Sequence, residues 1–348
     1  MSERIVFIPQ KKDEKTFVFD TALFCPQDRL WLAPMQGLTE LFFRKAFAEC
    51  FPDCIDCAVT PFISVTHGDI SKSVRKFRDA EPARNIGSLR IIPQLLGEET
   101  ENVLKYALHL NQMGYGIVNL NLACPSSKVT KRNRGAAILK DYRKVDMLLK
   151  HLTDRHPFSL SLKMRLGFDS KKDLDNLVAV LNNYPLHSVI MHPRLAVQMY
   201  DGEVDLEGFD FVYKHLHHRL IYNGDIVSEN SFIAIKERFP QIHDFMIGRA
   251  FIGNPFLAAR LKYGNTSHIV SLYDFYDKLQ KYYVSYSLGI EHTELLPFEM
   301  QEKINLATMN KMKEFCRYFA FYRHLDDKIF TRAKTLTELN SIVFQTFQ

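Results

Sequence analysis

Short apolar runs recur at residues 30–33, 55–60, 91–96, 117–122, 159–164, 187–191, 219–222 and 243–247. Between them lie polar-and-apolar stretches long enough for helices, as at 41–50, 100–113, 136–152 and 173–182. Eight strands alternating with helices over roughly 230 residues predict an α/β fold, the (β/α)8 TIM barrel, which takes ~250 residues. A doubly wound open sheet is the runner-up. After Asn254-Pro255 the alternation stops, and helical stretches follow at 273–288, 297–319, 326–333 and 336–347. They predict a helical domain over 271–348, behind a barrel over 30–262. Residues 1–29 carry a charged patch, Lys11 to Lys15, beside the alternating run Thr16-Phe17-Val18-Phe19, and read as an N-terminal hairpin or arm.

A barrel keeps its chemistry at the carboxyl ends of its strands. At those ends stand Pro34-Met35-Gln36, Gln94, Asn121 with Cys124, Lys163 with Arg165, His192 with Arg194, Asn223-Gly224-Asp225 and Gly248-Arg249. A single Gln or Asn closing a strand is usually a turn former. Recurrence at nearly every strand end points instead to a site. The turns after the seventh and eighth strands, Asn223-Gly224-Asp225 and Gly248-Arg249, occupy the place where barrels bind phosphate, and Arg249 adds charge. A phosphate-bearing cofactor is therefore expected there, with Lys163 in reach of its ring system.

The stretch Gly116–Lys140 concentrates the reactive chemistry. Ile117 to Leu122 reads as a buried parallel strand, which places Cys124 on the loop just past it. From Lys128 to Lys144 seven Lys or Arg (128, 131, 132, 134, 140, 143 and 144) face one acid, Asp141. A thiol opening onto so positive a segment suggests work on a polyanion.

The 348-residue chain has a net charge of +5, which permits nucleic acid as a partner without requiring it. A second basic cluster, Lys311, Lys313, Arg317, Arg323, Lys328, Arg332 and Lys334, lies on the helical segment. The aromatic residues between them, Phe315, Tyr318, Phe319 and Tyr322, have helical spacing and read as core. No apolar run approaches the ~18 residues of a membrane span, and the N-terminus lacks a signal-peptide core, so the cytoplasm is expected. The six cysteines then read as reduced thiols. Cys50, Cys54 and Cys57 have a C-x3-C-x2-C spacing seen around iron–sulfur clusters, but Cys57 falls inside a strand-like run, and buried packing is the expected role. No metal is expected.

Together these motifs resemble the tRNA-dihydrouridine synthase family. The resemblance is carried by Ala33-Pro34-Met35, Gln94-Leu95, Asn121 to Pro125, Lys128-Val129, Gly135-Ala136-Ala137, Lys163 to Gly167, His192, Asn223-Gly224-Asp225 and Met246 to Arg249. It implies reduction of the 5,6 double bond of specific tRNA uridines, with FMN as cofactor and NADPH or NADH as reductant. By carry-over, Cys124 is the proton donor. Pro34, Met35, Gln36, Gln94, Lys163, His192, Asn223, Gly224, Asp225, Gly248 and Arg249 are the expected FMN contacts. Asn121, Lys128, Arg134 and Arg194 are expected to meet substrate, tRNA is the expected partner, and a monomer the expected state. The chain departs from the family pattern at Ala123, Arg134, Pro193 and the run Thr60-Pro61-Phe62, none of them among the expected cofactor positions. An FMN barrel with an Asn…Cys-Pro strand end also fits a dihydroorotate-dehydrogenase-like enzyme, and a barrel that binds RNA without turnover is a third possibility. Seven bases beside Cys124 and an added helical segment favour the RNA-modifying enzyme.

Overall fold

Every strand pairing in the computed structural model is parallel, as the buried, near-continuously apolar runs require. The structure describes residues 24–68, 70, 77–85, 87, 89–264, 270–290 and 296–348. Most of the expected N-terminal arm at 1–29 lies outside the described residues.

Ten strand segments form one sheet. They are β1 (Arg29–Leu32), β2 (Cys57–Val59), β3 (Ile63–Ser64), β4 (Arg90–Ile92), β5 (Gln94–Leu96), β6 (Ile117–Leu122), β7 (Ser159–Gly167), β8 (Leu186–Leu195), β9 (Leu220–Tyr222) and β10 (Asp244–Ile247). They make eight staves rather than ten. Pro93 alone separates β4 from β5, and Thr60-Pro61-Phe62 separates β2 from β3, because proline has no N–H to give the ladder. β2 pairs with β4 and β3 with β5, so each broken strand continues past its proline beside the other. Since β10 also pairs with β1, the ring closes into the TIM barrel.

β7 and β8 run longer than the apolar pattern suggested, to Gly167 and Leu195. Lys163, Arg165, His192 and Arg194 consequently project from strands rather than loops. Residues two apart on a strand share a face, so these four side chains meet on the barrel axis side by side. That gives them a stiff mounting.

The predicted helix at 136–152 is two elements: a 3-10 turn at Gly135–Lys140, then a helix at Tyr142–Leu152. Asp141 caps the second, its carboxylate accepting the Arg143 N–H at 3.1 Å, which ends one element and starts the next. The predicted helix at 273–288 turns from α at Tyr282 to a π-helix over Tyr283–Leu288.

The helical segment shares its core with the barrel. Phe43 on the first helix, Leu41–Cys50, stacks on Phe315 of the long helix Phe298–Tyr322 at 5.9 Å and meets Phe275 edge-on at 5.8 Å. Phe315, Phe319 and Tyr318 are core, as their spacing implies, whereas Tyr322 turns toward the barrel mouth. Helix Phe298–Tyr322 approaches so closely that a Cβ on Gly253 would come within 2.1 Å of the Tyr322 ring. The six cysteines are all free thiols. Cys57 packs inside the barrel with Trp31 and Val59, while Cys50 and Cys54 pack in the surrounding shell. Burial pushes each of the three up to about 11, the behaviour of core thiols.

Candidate active site

The carboxyl end of the barrel holds a cleft of about 510 Å³ including its open mouth. Pro34, Met35, Lys163, His192, Asn223, Gly224, Asp225, Gly248 and Arg249 all line it, so nine of the expected cofactor positions converge. Two do not. Gln36 is exposed and faces a different recess. Gln94 is fully buried below the cleft, its amide donating to Asn119 at 2.8 Å and accepting from Asn121 at 2.8 Å.

Four cations meet here. Lys163 is buried, and among the described residues its amine makes no hydrogen bond or ion pair. Burial, then the neighbouring Arg165 guanidinium, lowers its pKa to about 7. Arg165 is lowered to about 10, again mainly by burial. Burial and the Arg165 charge hold His192 well below its usual range, so the imidazole is neutral. Against these stands Asp225, which accepts from Arg194 at 2.9 Å and from Arg249 at 3.0 Å. One carboxylate cannot neutralise the cluster, and the cleft stays electropositive.

Space is tight at two glycines of the wall, most of all at Gly224. A Cβ on Gly224 would stand 2.3 Å from the Tyr222 hydroxyl, and one on Gly248 would stand 3.1 Å from the Ala33 Cβ and 3.2 Å from the Met35 sulfur. The turns after β9 and β10 therefore draw tight against the wall and bring their backbone to the cleft.

Cys124 stands at the rim, and its loop is held from three directions. The Asn121 side-chain carbonyl accepts the N–H groups of Ala123 at 3.0 Å and Cys124 at 2.9 Å. The Ala136 N–H donates to the Cys124 carbonyl at 3.0 Å, and Arg165 Nε donates to the Ala123 carbonyl at 3.0 Å. Asn121 and Lys163 are register partners on β6 and β7, so thiol and amine rise from adjacent strands. Below Asn121 an amide-and-hydroxyl chain continues through Gln94, Asn119, Ser161 and Ser188, every step at 2.8 or 2.9 Å. It satisfies polar groups that the barrel interior would otherwise penalise.

The expected substrate residues divide. Lys128 is exposed at the rim. Asn121 is committed to the Cys124 loop and Gln94. Arg134 donates to the Val65 carbonyl at 3.1 Å and lies 3.7 Å from Glu98, its side chain 13% exposed, so it ties loops together instead of facing solvent. Arg194 is fully buried on Asp225 and the Gly202 carbonyl, which removes it from substrate. On the helical segment Lys311, Lys313 and Arg317 have partners within the chain, whereas Arg323, Lys328, Arg332 and Lys334 are exposed.

Tyr200 was not foreseen. It follows a 3-10 turn after β8 and lies between two guanidinium groups, Arg249 at 4.5 Å and Arg165 at 5.7 Å from the ring centroid. With Tyr322 it gives the cleft an aromatic wall. Tyr200 has no strand-end position in the sequence and no periodicity marks it, whereas the helical spacing of Tyr322 points to the core and the structure turns it to the cleft instead.

Two features of the cleft suit a phosphate-bearing flavin: a buried amine unpaired among the described residues for the ring's negative charge, and a positive, glycine-walled turn pair for a phosphate. Lys163 and His192 would face the ring, and Gly224, Gly248 and Arg249 the phosphate.

A family model described as dihydrouridine synthase matches residues 31–345. The tRNA-dihydrouridine(16) synthase of Neisseria meningitidis serogroup B is 27% identical over 241 residues, 67% of this chain and 71% of that protein. A probable tRNA-dihydrouridine synthase of Rickettsia conorii is 26% identical over 329 residues, 82% of this chain and 96% of that protein. Among solved structures, histamine dehydrogenase from Rhizobium sp. 4-9 superposes with a TM-score of 0.50 at 11% identity, covering 67% of this chain and 45% of that one, which speaks to the fold alone.

Proposed function

This chain belongs to the dihydrouridine synthase family, and we propose that it reduces the 5,6 double bond of uridines in tRNA, with FMN as cofactor and NADPH or NADH as reductant. The observation that carries the reading is the pairing of a firmly held thiol, Cys124, with the unpartnered buried amine of Lys163 on the next strand. The names of the relatives, tRNA-dihydrouridine synthases, point the same way.

Saturating the double bond takes a hydride at one carbon and a proton at the other. FMN, held by Lys163, His192, Gly224, Gly248 and Arg249, would supply the hydride, with NADPH or NADH as its reductant. Cys124 supplies the proton as general acid, the backbone of its loop held by the Asn121, Ala136 and Arg165 contacts. Lys163, buried and without a hydrogen-bond or ion-pair partner among the described residues, would meet the negative charge of the reduced ring with its protonated amine. Tyr200, with Arg165 and Arg249 over its ring, lines the cleft where the base would enter.

A stacked uridine cannot reach Cys124, so the nucleotide is drawn out of the RNA at a cost of a few kcal/mol. Phosphate contacts offset that cost. Lys128, Lys131 and Arg132 near the Cys124 loop and Arg323, Lys328, Arg332 and Lys334 on the helical segment are exposed, their side chains make no ion pair among the described residues, and we assign them this role. The segment from 271 to 348 then serves as the tRNA-binding unit.

The test is direct. Purified protein should be yellow with FMN and, given NADPH, should convert uridine to dihydrouridine in an unmodified tRNA transcript, read as a 2 Da gain by mass spectrometry of the digested RNA. Cys124→Ala should still accept electrons from NADPH while tRNA turnover falls by about 10²–10⁴-fold, the usual share of a positioned acid. Protein that stays colourless with added FMN, or full turnover by Cys124→Ala, would overturn the reading.

A further inference from the structure

Where the cleft ends at Met35, a second recess begins at Gln36. It is a cavity of about 740 Å³ including its mouth, walled by Gln36, Phe62, Arg78, Arg84, Tyr286 and Ser287 among others. Nothing in the reduction chemistry above uses it.

Its walls come from three places in the chain. Phe62 sits at the proline break between β2 and β3. Arg78 opens a 3-10 turn, Arg78–Ala80. Tyr286 and Ser287 come from the π-helix Tyr283–Leu288, a rare element that concentrates at functional sites. The π-helix ends at Gly289, with φ of 73°, where a Cβ would lie 3.3 Å from Arg78 Nη2. The helix end and the arginine are thus packed together.

The charges have been sorted so that Arg78 remains available. Asp79 is engaged by Arg44 at 3.0 Å and by the Leu41 N–H at 2.5 Å. Glu40 accepts the Gly37 N–H at 3.2 Å, and Arg84 pairs with Glu81 at 2.9 Å. Arg78 makes no hydrogen bond or ion pair among the described residues. A partly exposed guanidinium without a partner among the described residues, two aromatic rings and a primary amide make the donor set of a nucleotide site. The rings stack a base, the amide reads its edge, and the guanidinium takes a phosphate.

Met35 and Gln36 are consecutive, about 3.8 Å apart at Cα, and line the cleft and the recess respectively. An RNA strand that delivers one nucleotide into the cleft passes over the recess. We propose that this recess holds a second nucleotide of the same RNA, a neighbour of the one reduced, with its base against Tyr286 and Phe62 and its phosphate on Arg78. The proposal rests on the tRNA reading above and adds a subsite that selects for sequence or geometry beside the target uridine.

The test uses flavin-loaded full-length protein: parent, Arg78→Ala, Tyr286→Ala and Tyr286→Phe. Binding of an unmodified tRNA transcript is followed by fluorescence anisotropy across salt, and flavin reduction by NADPH is followed separately. Arg78→Ala should weaken tRNA binding and flatten the log–log salt slope by about 0.7 to 0.9, one phosphate contact. Tyr286→Ala should weaken binding by about 5- to 150-fold, the range for base–aromatic stacking, with the slope unchanged. Tyr286→Phe keeps the ring and should bind like the parent, and flavin reduction should be the same in all four. Parent-like tRNA binding by both alanine variants would overturn the proposal and leave the function reading standing. A defect confined to NADPH would overturn it in favour of a reductant site. Failure of the parent itself to bind tRNA would bring down the function reading and this subsite together.

Discussion

A Cβ on Gly135 would stand 2.8 Å from the carbonyl oxygen of Cys124 and 3.2 Å from its Cβ. Gly135 also holds φ at 59°, a conformation that costs an L side chain about 1–2 kcal/mol. The basic loop therefore returns to pack directly on the thiol's backbone, and the residue at the return must be glycine for both reasons. Gly135→Ala should cost about 1–3 kcal/mol in urea unfolding and lower tRNA turnover, while the protein keeps its flavin. A parent-like midpoint and parent-like turnover would show that this packing is unimportant.

Asp225 joins a fully buried arginine to a partly exposed one. Arg194 is 0% exposed at its side chain and Arg249 is 17% exposed. Asp225→Ala leaves the Arg194 charge buried without its carboxylate and should cost about 3–5 kcal/mol. Arg249→Ala should cost far less stability and chiefly loosen FMN. Urea unfolding and flavin retention on a desalting column separate the two; equal stability losses would contradict the assignment.

Lys163 gives a pH dependence with a definite sign. Its pKa falls from 10.5 to about 7 on folding, chiefly by burial. Between those values the unfolded chain binds more protons than the folded one, so this group's contribution makes stability rise with pH across that window. In flavin-free protein, the difference in urea midpoint between parent and Lys163→Met should move in the parent's favour from pH 7 to pH 9.5. A constant difference would mean that the amine titrates normally.

The rim bases should act through phosphates, but not all alike. Lys131 and Arg132 are exposed, whereas Arg134 is tied to Val65 and Glu98. Reversing Lys131 and Arg132 to Glu should weaken every tRNA and reduce the salt slope by roughly 0.7 to 0.9 per lost contact. Arg134→Glu should instead show as lost stability, by about 1–3 kcal/mol, through the broken Val65 contact. Affinity indifferent to salt would sink the electrostatic account.

The rhythm of apolar runs was enough to predict a parallel α/β fold with the barrel as first choice, because period and run length follow from burying a parallel sheet on both faces; an open doubly wound sheet shares that pattern, and the pairing of β10 with β1 decides for the closed ring. The same rhythm located Cys124, Lys163, His192, Asn223 to Asp225 and Gly248-Arg249 at strand ends, and these nearly all meet in one cleft. Helix Leu336–Phe347 and the strand Ile117–Leu122 have the boundaries that the pattern predicts. What the one-dimensional pattern could not carry was partnership. Arg194 and Arg134 look like Lys128 in a sequence, yet burial assigns the first to Asp225 and the second to Val65, since a charge removed from water must find a partner. Gln36 and Met35 are neighbours in the chain and face different cavities, because one turn of loop decides which way each points. Tyr200, Tyr322 and Tyr286 reach their places through a 3-10 turn, a long helix and a π-helix packed against the barrel mouth. Those positions depend on contacts between segments tens to hundreds of residues apart, and only the folded chain brings them together.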